Sequence, residues 1–253
     1  MGKLMKYEFR KQLMSKIIIL AVGAVLEILF VLGLFLEKEK WLGTATGLLL
    51  TTAFIGLFYL SFESVVTFSN DLRTKQSYML FLTPRNMFQV VGAKIVVTVI
   101  QIFGAGLLFT LIAIGDVALV CSKYGKIQEL FDALKEFIKA ITGAEIRLSE
   151  IIYVLLMVLV TWLLVITMAI FAITLSTTLF ANKKYKGLIS VLIFFVLEYV
   201  IGKVAMLMVP TGFLQGKYLV VTTEAWAYIG VYALAMVLNF VGTALLLEKK
   251  VSV

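Results

Sequence analysis

The chain has 253 residues, of which 62% are hydrophobic and only 15% charged, with a mean hydropathy of +1.05. Soluble domains are about half apolar and about a quarter charged, so these charges are too few to coat a globule and the composition points to an integral membrane protein. Histidine is absent and Cys121 is the lone cysteine, which removes the usual zinc ligand, the usual general base near neutral pH and any intrachain disulfide.

Crossing a hydrocarbon core of about 30 Å takes roughly 20 apolar helical residues. Six runs of that length are bounded by charge, Pro or Gly: Ile17 to Leu36, Gly47 to Phe68, Val90 to Ile114, Ile151 to Leu175, Gly187 to Val209 and Ala225 to Leu247. They do not alternate as barrel strands do, so the expected class is all-α and polytopic, one transmembrane domain over residues 1–253. The first run is read as retained, because Glu37-Lys38-Glu39-Lys40 follows it rather than a small-residue cleavage site.

Ahead of that run, residues 1–16 carry Met5, Phe9 and Leu13 at i, i+4, i+8 among Lys3, Lys6, Arg10 and Lys11. This spacing suits a helix lying on a membrane surface or a plain basic anchor. Between the second and third runs, Asn70 or Asp71 can cap a short amphipathic helix that Pro84 ends; alternatively the stretch prolongs the second span. Residues 116–150 place Ile127, Leu130, Phe131, Leu134, Phe137 and Ile138 on one face of a helix whose charges cancel. Such a helix is either a structural lid or a moving gate.

Orientation follows from basic residues in short loops. With both termini inside, 14 of the 23 basic residues fall on the cytoplasmic side, including Arg73, Arg85, Lys94, Lys183, Lys184 and Lys249. Nine fall outside, among them Lys38, Lys123 and Lys203. The net charge of +8 is therefore read as an orientation signal and not as a nucleic-acid surface. Trp41, Tyr153, Trp226 and Tyr228 fall at the outer ends of spans, where amphipathic rings favour the headgroup layer.

Charged side chains at bilayer depth cost about 2.5 to 3.5 kcal/mol each on insertion scales. Glu27 and Glu198 lie near the middles of the first and fifth runs, and Glu63 lies near the inner end of the second. Each can bind an ion or substrate, or order helix packing. Lys203, five residues from Glu198, falls on another side of its helix. No G-x-x-x-x-G-K-[ST] loop for phosphate is present, so any ATP chemistry belongs to another chain.

The opening L-M-K-Y-E-F-R-K-Q-L at Leu4 to Leu13, the D-L-R-T-K-Q-S-Y-M-L-F-L-T-P-R-N stretch at Asp71 to Asn86 and the closing L-L-E-K-K-V at Leu246 to Val251, set around six spans, resemble ABC-2-type permeases. These are the membrane subunits of type V ABC transporters. The resemblance implies an N-terminal elbow helix at 1–16, a cytoplasmic coupling helix and an extracellular amphipathic helix. It implies that Asp71, Leu72, Arg73, Tyr78, Met79, Leu80, Phe81, Leu82 and Arg85 contact an ABC ATPase subunit, with a secondary contact at Lys183 and Lys184. A second permease subunit, identical or related, is the other implied partner, and the plasma membrane is the implied location. The chain itself would be no enzyme and hold no cofactor or metal; ATP and Mg would sit in the ATPase subunit. A lipophilic, peptidic or drug-like substrate would be exported. Two other classes stand beside this one: a proton-coupled secondary transporter using Glu27 and Glu198, and a membrane immunity or interaction protein without transport.

Overall fold

The computed structural model describes residues 2–73, 86–125, 132, 136, 148–180, 185–208 and 223–251. Among these there is no strand, and seven helices follow one another: α1 (Gly2–Lys11), α2 (Leu13–Phe35), α3 (Glu39–Arg73), α4 (Met87–Tyr124), α5 (Leu148–Leu179), α6 (Lys186–Met208) and α7 (Thr223–Val251). The last six are long and apolar enough to cross a membrane.

Burial is inverted relative to a soluble protein. The exposed large side chains include Leu50, Phe54, Leu107, Leu111, Phe195 and Val196, whereas Ser61, Ser64, Thr98, Thr167, Thr174 and Thr243 are buried. Water would penalise that arrangement and lipid favours it, since small hydroxyl residues let helices approach and bond to each other or to their own backbone. Thr174 and Thr243 do the latter, donating to the carbonyls of Ile170 and Asn239 at 2.9 and 2.7 Å. The chain is built as a polytopic helical membrane protein.

Helices outrun the apolar runs that announce them. With 35 and 38 residues, α3 and α4 measure about 52 and 57 Å at 1.5 Å per residue, far more than the hydrocarbon core. At its C-terminal end α3 continues through Asn70 and Asp71 to Arg73, so neither residue caps a new helix there. Asn86 does cap one: its Oδ1 accepts from the Phe88 N–H at 3.0 Å and starts α4. Likewise α4 runs past Ile114 to Tyr124, because Val117 to Val120 resume the apolar pattern after Asp116. Asp116 is thus a residue of a membrane-length helix and not the start of an outer loop. Of the predicted outer amphipathic helix, Asp132 and Glu136 are helical and exposed; its apolar face lies outside the described residues.

By packing, the chain divides into residues 1–68 with 92–125 and residues 69–91 with 126–253. In the first unit, α1 ends at Lys11 and the backbone turns at Gln12 (φ −102°, ψ 14°) before α2 begins. At its other end, α2 closes with the Glu37 N–H donating to Leu34 O at 3.4 Å and the Lys38 N–H to Gly33 O at 3.1 Å. This is a Schellman motif, whose left-handed position is held by Glu37 at φ 55° instead of glycine. Gly33 is required for closeness: a Cβ there would stand 3.0 Å from the Leu42 backbone nitrogen at the start of α3.

In the second unit α5 packs against both α6 and α7. Gly242 on α7 admits the Phe171 ring of α5, which a Cβ would meet at 2.8 Å. Ser176 and Ser190 clasp α5 to α6 at 2.5 Å. Tyr153 and Trp226 pack edge to face with centroids 5.4 Å apart. Tyr153 is buried, so its ring serves helix packing.

Candidate functional site

Polar side chains in apolar helices mark the candidate sites, and the first unit gathers most of them along α1, α2, α3 and α4. Glu8 on α1, Gln12 at the turn and Ser15 in the first turn of α2 recur at i, i+4, i+7 in sequence; Lys94, Thr98 and Gln101 have that spacing on α4, which places them on one helical face. Lys94 Nζ meets Glu8 Oε1 at 2.6 Å with both side chains more than nine-tenths buried. Gln101 Nε2 donates to Gln12 Oε1 at 2.6 Å, Ser15 donates to Glu63 Oε1 at 2.5 Å, and the Ser64 and Thr98 hydroxyls are hydrogen-bonded at 2.5 Å, with Thr98 donating onward to the Lys94 carbonyl.

The buried edge of α1 is therefore centred on Glu8 and Gln12 and not on the Met5–Phe9–Leu13 stripe, and Leu13 is 46% exposed. The reason is energetic: a buried glutamate is tolerated when a matching cation and its hydrogen bond are supplied. Lys94, counted from sequence among the cytoplasmic surface charges, is the cation consumed by that pair.

Above this seam lies a mostly apolar cavity of about 290 Å³, bordered by Phe9, Lys16, Leu60, Gln101 and Phe109. Lys16 Nζ and Gln101 Oε1 are buried there without hydrogen-bond partners, and the Lys16 ammonium stands 4.5 Å from the centre of the Phe9 ring. Glu63, near the inner end of the second apolar run, is the charge facing Lys16 and the acceptor for Ser15.

Further along the same unit, Glu27 on α2 comes within side-chain hydrogen-bonding reach of Asp116 on α4. Glu27 Oε2 and Asp116 Oδ1 are buried and otherwise unsatisfied. Sequence reasoning finds Glu27 but misses Asp116, which follows Gly115 and is easily read as the start of a loop; the apolar Val117 to Val120 beyond it is the signal. Among the described residues no three acidic or cysteine side chains gather as a metal cluster.

At the opposite end from Glu8, Lys123 Nζ donates at 2.5 Å to the Leu34 carbonyl, which also accepts from the Glu37 N–H, and stands 3.3 Å from the Glu37 carboxylate. It adds a second hydrogen bond to a carbonyl in the last turn of α2. That contact is a structural fastening.

Glu198 belongs to the second unit. It borders a cavity of about 500 Å³ between α6 and α7 together with Phe195, Tyr199, Lys203, Tyr228 and Tyr232. Glu198 and Lys203 thus line one space despite their five-residue separation, with Lys203 Nζ 5.8 Å from the Tyr199 ring centre. Of the expected ATPase contacts, Asp71 lies buried and Leu72 half-buried in the last turn of α3. Arg73 ends that helix. Tyr78, Met79, Leu80, Phe81, Leu82, Arg85, Lys183 and Lys184 lie outside the described residues.

Comparison with protein-family models, with curated proteins and with solved structures gives no match for this chain.

Proposed function

We propose that the chain is the permease subunit of an ATP-driven exporter of ABC-2 type, with ATP bound and hydrolysed by a separate subunit. Support comes from the Asp71 to Asn86 stretch, which joins two helices that overrun the hydrocarbon core and combines basic residues with Tyr78, Met79, Phe81 and Leu82. Apolar residues set among charges in a connector suit a docking partner. Here α1, shorter than the 1–16 expected from sequence because α2 already begins at Leu13, acts as the elbow helix, tied to α4 through Glu8 and Lys94. In this reading the termini face the cytoplasm, the membrane is the plasma membrane and a second permease subunit completes the path.

Mechanically, closure of two nucleotide-loaded ATPase subunits pushes on the 71–86 connection and, secondarily, on the 181–186 connection. Because α3 is one continuous helix to Arg73, a push there is delivered along a rigid rod into the membrane. Packed helices then move between discrete arrangements rather than deforming continuously.

Tagged chain co-expressed with ABC ATPase subunits encoded by the same genome provides the test. A stable complex is expected, and Tyr78→Ala with Phe81→Ala weakens it at least tenfold; unchanged binding in that variant would remove the docking role from this stretch.

A second reading, proton-coupled transport, is favoured by one observation, the Glu27–Asp116 carboxyl pair between α2 and α4. Adjacent acids in membrane helices are the groups that proton-driven carriers use. Proton uptake into liposomes by the lone chain, abolished in Glu27→Gln, supports this reading over the ATP-driven one.

A further inference from the structure

Glu198 sits twelve residues into α6, about 18 Å along the helix at 1.5 Å per residue, so a span starting at Lys186 brings its carboxylate to mid-bilayer depth. Among the described residues it has no ion-pair partner, and it is exposed to the cavity between α6 and α7. A carboxylate in that position is costly unless its surroundings supply a counter-charge or water. The surroundings supply rings: Phe195, Tyr199, Tyr228 and Tyr232 border the same space, and Tyr228 and Tyr232 meet edge to face at 6.4 Å.

From this juxtaposition we infer that the α6–α7 cavity is a binding site for an organic cation, held by the Glu198 carboxylate and by the faces of the tyrosine rings. Aromatic faces attract cations through their quadrupole, and they do so most strongly when the cation is poorly hydrated. A volume of about 500 Å³ is that of a small-molecule site. Hard inorganic cations are a poor fit, because calcium takes six or more oxygen ligands and magnesium a near-ideal octahedron, whereas this lining offers one carboxylate, a lysine and aromatic rings whose only other side-chain oxygens are tyrosine hydroxyls. A cation carrying aryl or alkyl groups matches both halves of the lining.

Lys203 sharpens the inference. Its ammonium lies 5.8 Å from the Tyr199 ring centre, so the protein's own tethered cation already occupies one ring face at the edge of the cavity. An incoming cation competes with it and is repelled by it. A zwitterionic ligand would instead recruit it. Removing the Lys203 charge therefore tightens binding of a cation and weakens binding of a zwitterion.

As the substrate class of the proposed permease, the inference rests on the transport reading. The test, however, uses the full lone chain without nucleotide. Failure to bind counts against the site, and failure to find an ATPase partner counts against the permease.

Tetraphenylphosphonium is titrated into the chain in lipid nanodiscs, with empty nanodiscs as the blank and neutral triphenylphosphine oxide as the comparator. Saturable binding of the cation at one site per chain is expected, displaced by benzyltrimethylammonium and not by the neutral comparator. Glu198→Gln and Tyr232→Ala each weaken it by about tenfold or more, the size of one desolvated cation contact. Tyr232→Phe, which keeps the ring, binds as the unmodified chain does, and Lys203→Met binds several-fold more tightly. Equal thermal midpoints for Glu198→Gln and the unmodified chain confirm that the loss is local; a lowered midpoint passes the decision to the Lys203→Met and Tyr232→Phe pair. The site is overturned by absence of saturable binding, by equal uptake of the neutral comparator, by unchanged affinity in Glu198→Gln, or by loss of affinity in Lys203→Met.

Discussion

A glutamate and a lysine more than nine-tenths buried and 2.6 Å apart set the energetics at the residue scale. Removing one member strands the other charge in a low-dielectric environment, at a cost of about 3 to 5 kcal/mol, whereas replacing both with apolar residues of similar size is close to neutral. Glu8→Leu and Lys94→Met should each lower the thermal midpoint in detergent sharply, and the double variant should recover most of the loss. Additive losses would show that the two residues do not act as a pair. Glu27 and Glu198 are conspicuous in the sequence because each stands alone in an apolar run. Glu8 is not, since it sits among Lys3, Lys6, Arg10 and Lys11, and only the matched i, i+4, i+7 spacing of Glu8, Gln12 and Ser15 with that of Lys94, Thr98 and Gln101 hints at the seam. Which polar stripe meets which is decided by tertiary packing, beyond the reach of one helix's periodicity.

Elements were legible as cores and illegible at their ends. Apolar run length identifies all six long helices because lipid penalises a charge or an unpaired backbone group anywhere within the core. Past the core that constraint lapses, and α3 continues through Asn70 and Asp71 to Arg73; α4 carries Asp116 within it, facing Glu27, and resumes its apolar pattern at Val117. Ends carry their own tests. Glu37 holds the left-handed position closing α2 at φ 55°, a conformation costing an L-residue about 1 to 2 kcal/mol. Its exposed contact with Lys123 returns no more than about 1 kcal/mol. Glu37→Gly should therefore raise stability by up to about 1 kcal/mol in a detergent denaturation series, and a clear loss would exclude the Schellman closure. In the second unit, Gly242→Val drives a side chain into the Phe171 ring and should cost about 1 to 3 kcal/mol by overpacking. Phe171→Ala in the same chain should remove most of that penalty; an undiminished penalty would place the clash elsewhere.

Whole-molecule organisation follows from where charge is allowed to lie. Fourteen basic residues assigned to one side against nine on the other carry the proposal that both termini lie inside; the ion pairs of the first unit join residues of one side and hold for either orientation. Glu8 meets Lys94, and Glu37 meets Lys123; each pair joins residues that the charge pattern puts on one side. Replacing Cys121 by Ser leaves a background free of cysteine. In that background a single cysteine at Lys75 should resist a membrane-impermeant thiol reagent applied to intact cells, while one at Lys40 should react. Reversed labelling would invert the topology and leave the 71–86 connection unable to meet a cytoplasmic ATPase.

ATP-driven export is the central claim, and ATP hydrolysis by the complex isolated on a tag carried by this chain tests it most directly. From its own membrane, reconstituted in nanodiscs, the chain should bring with it an ABC ATPase subunit and a magnesium-dependent activity that Tyr78→Ala with Phe81→Ala reduces at least tenfold. Isolation of the intact chain with no ATPase subunit and no nucleotide hydrolysis would contradict it.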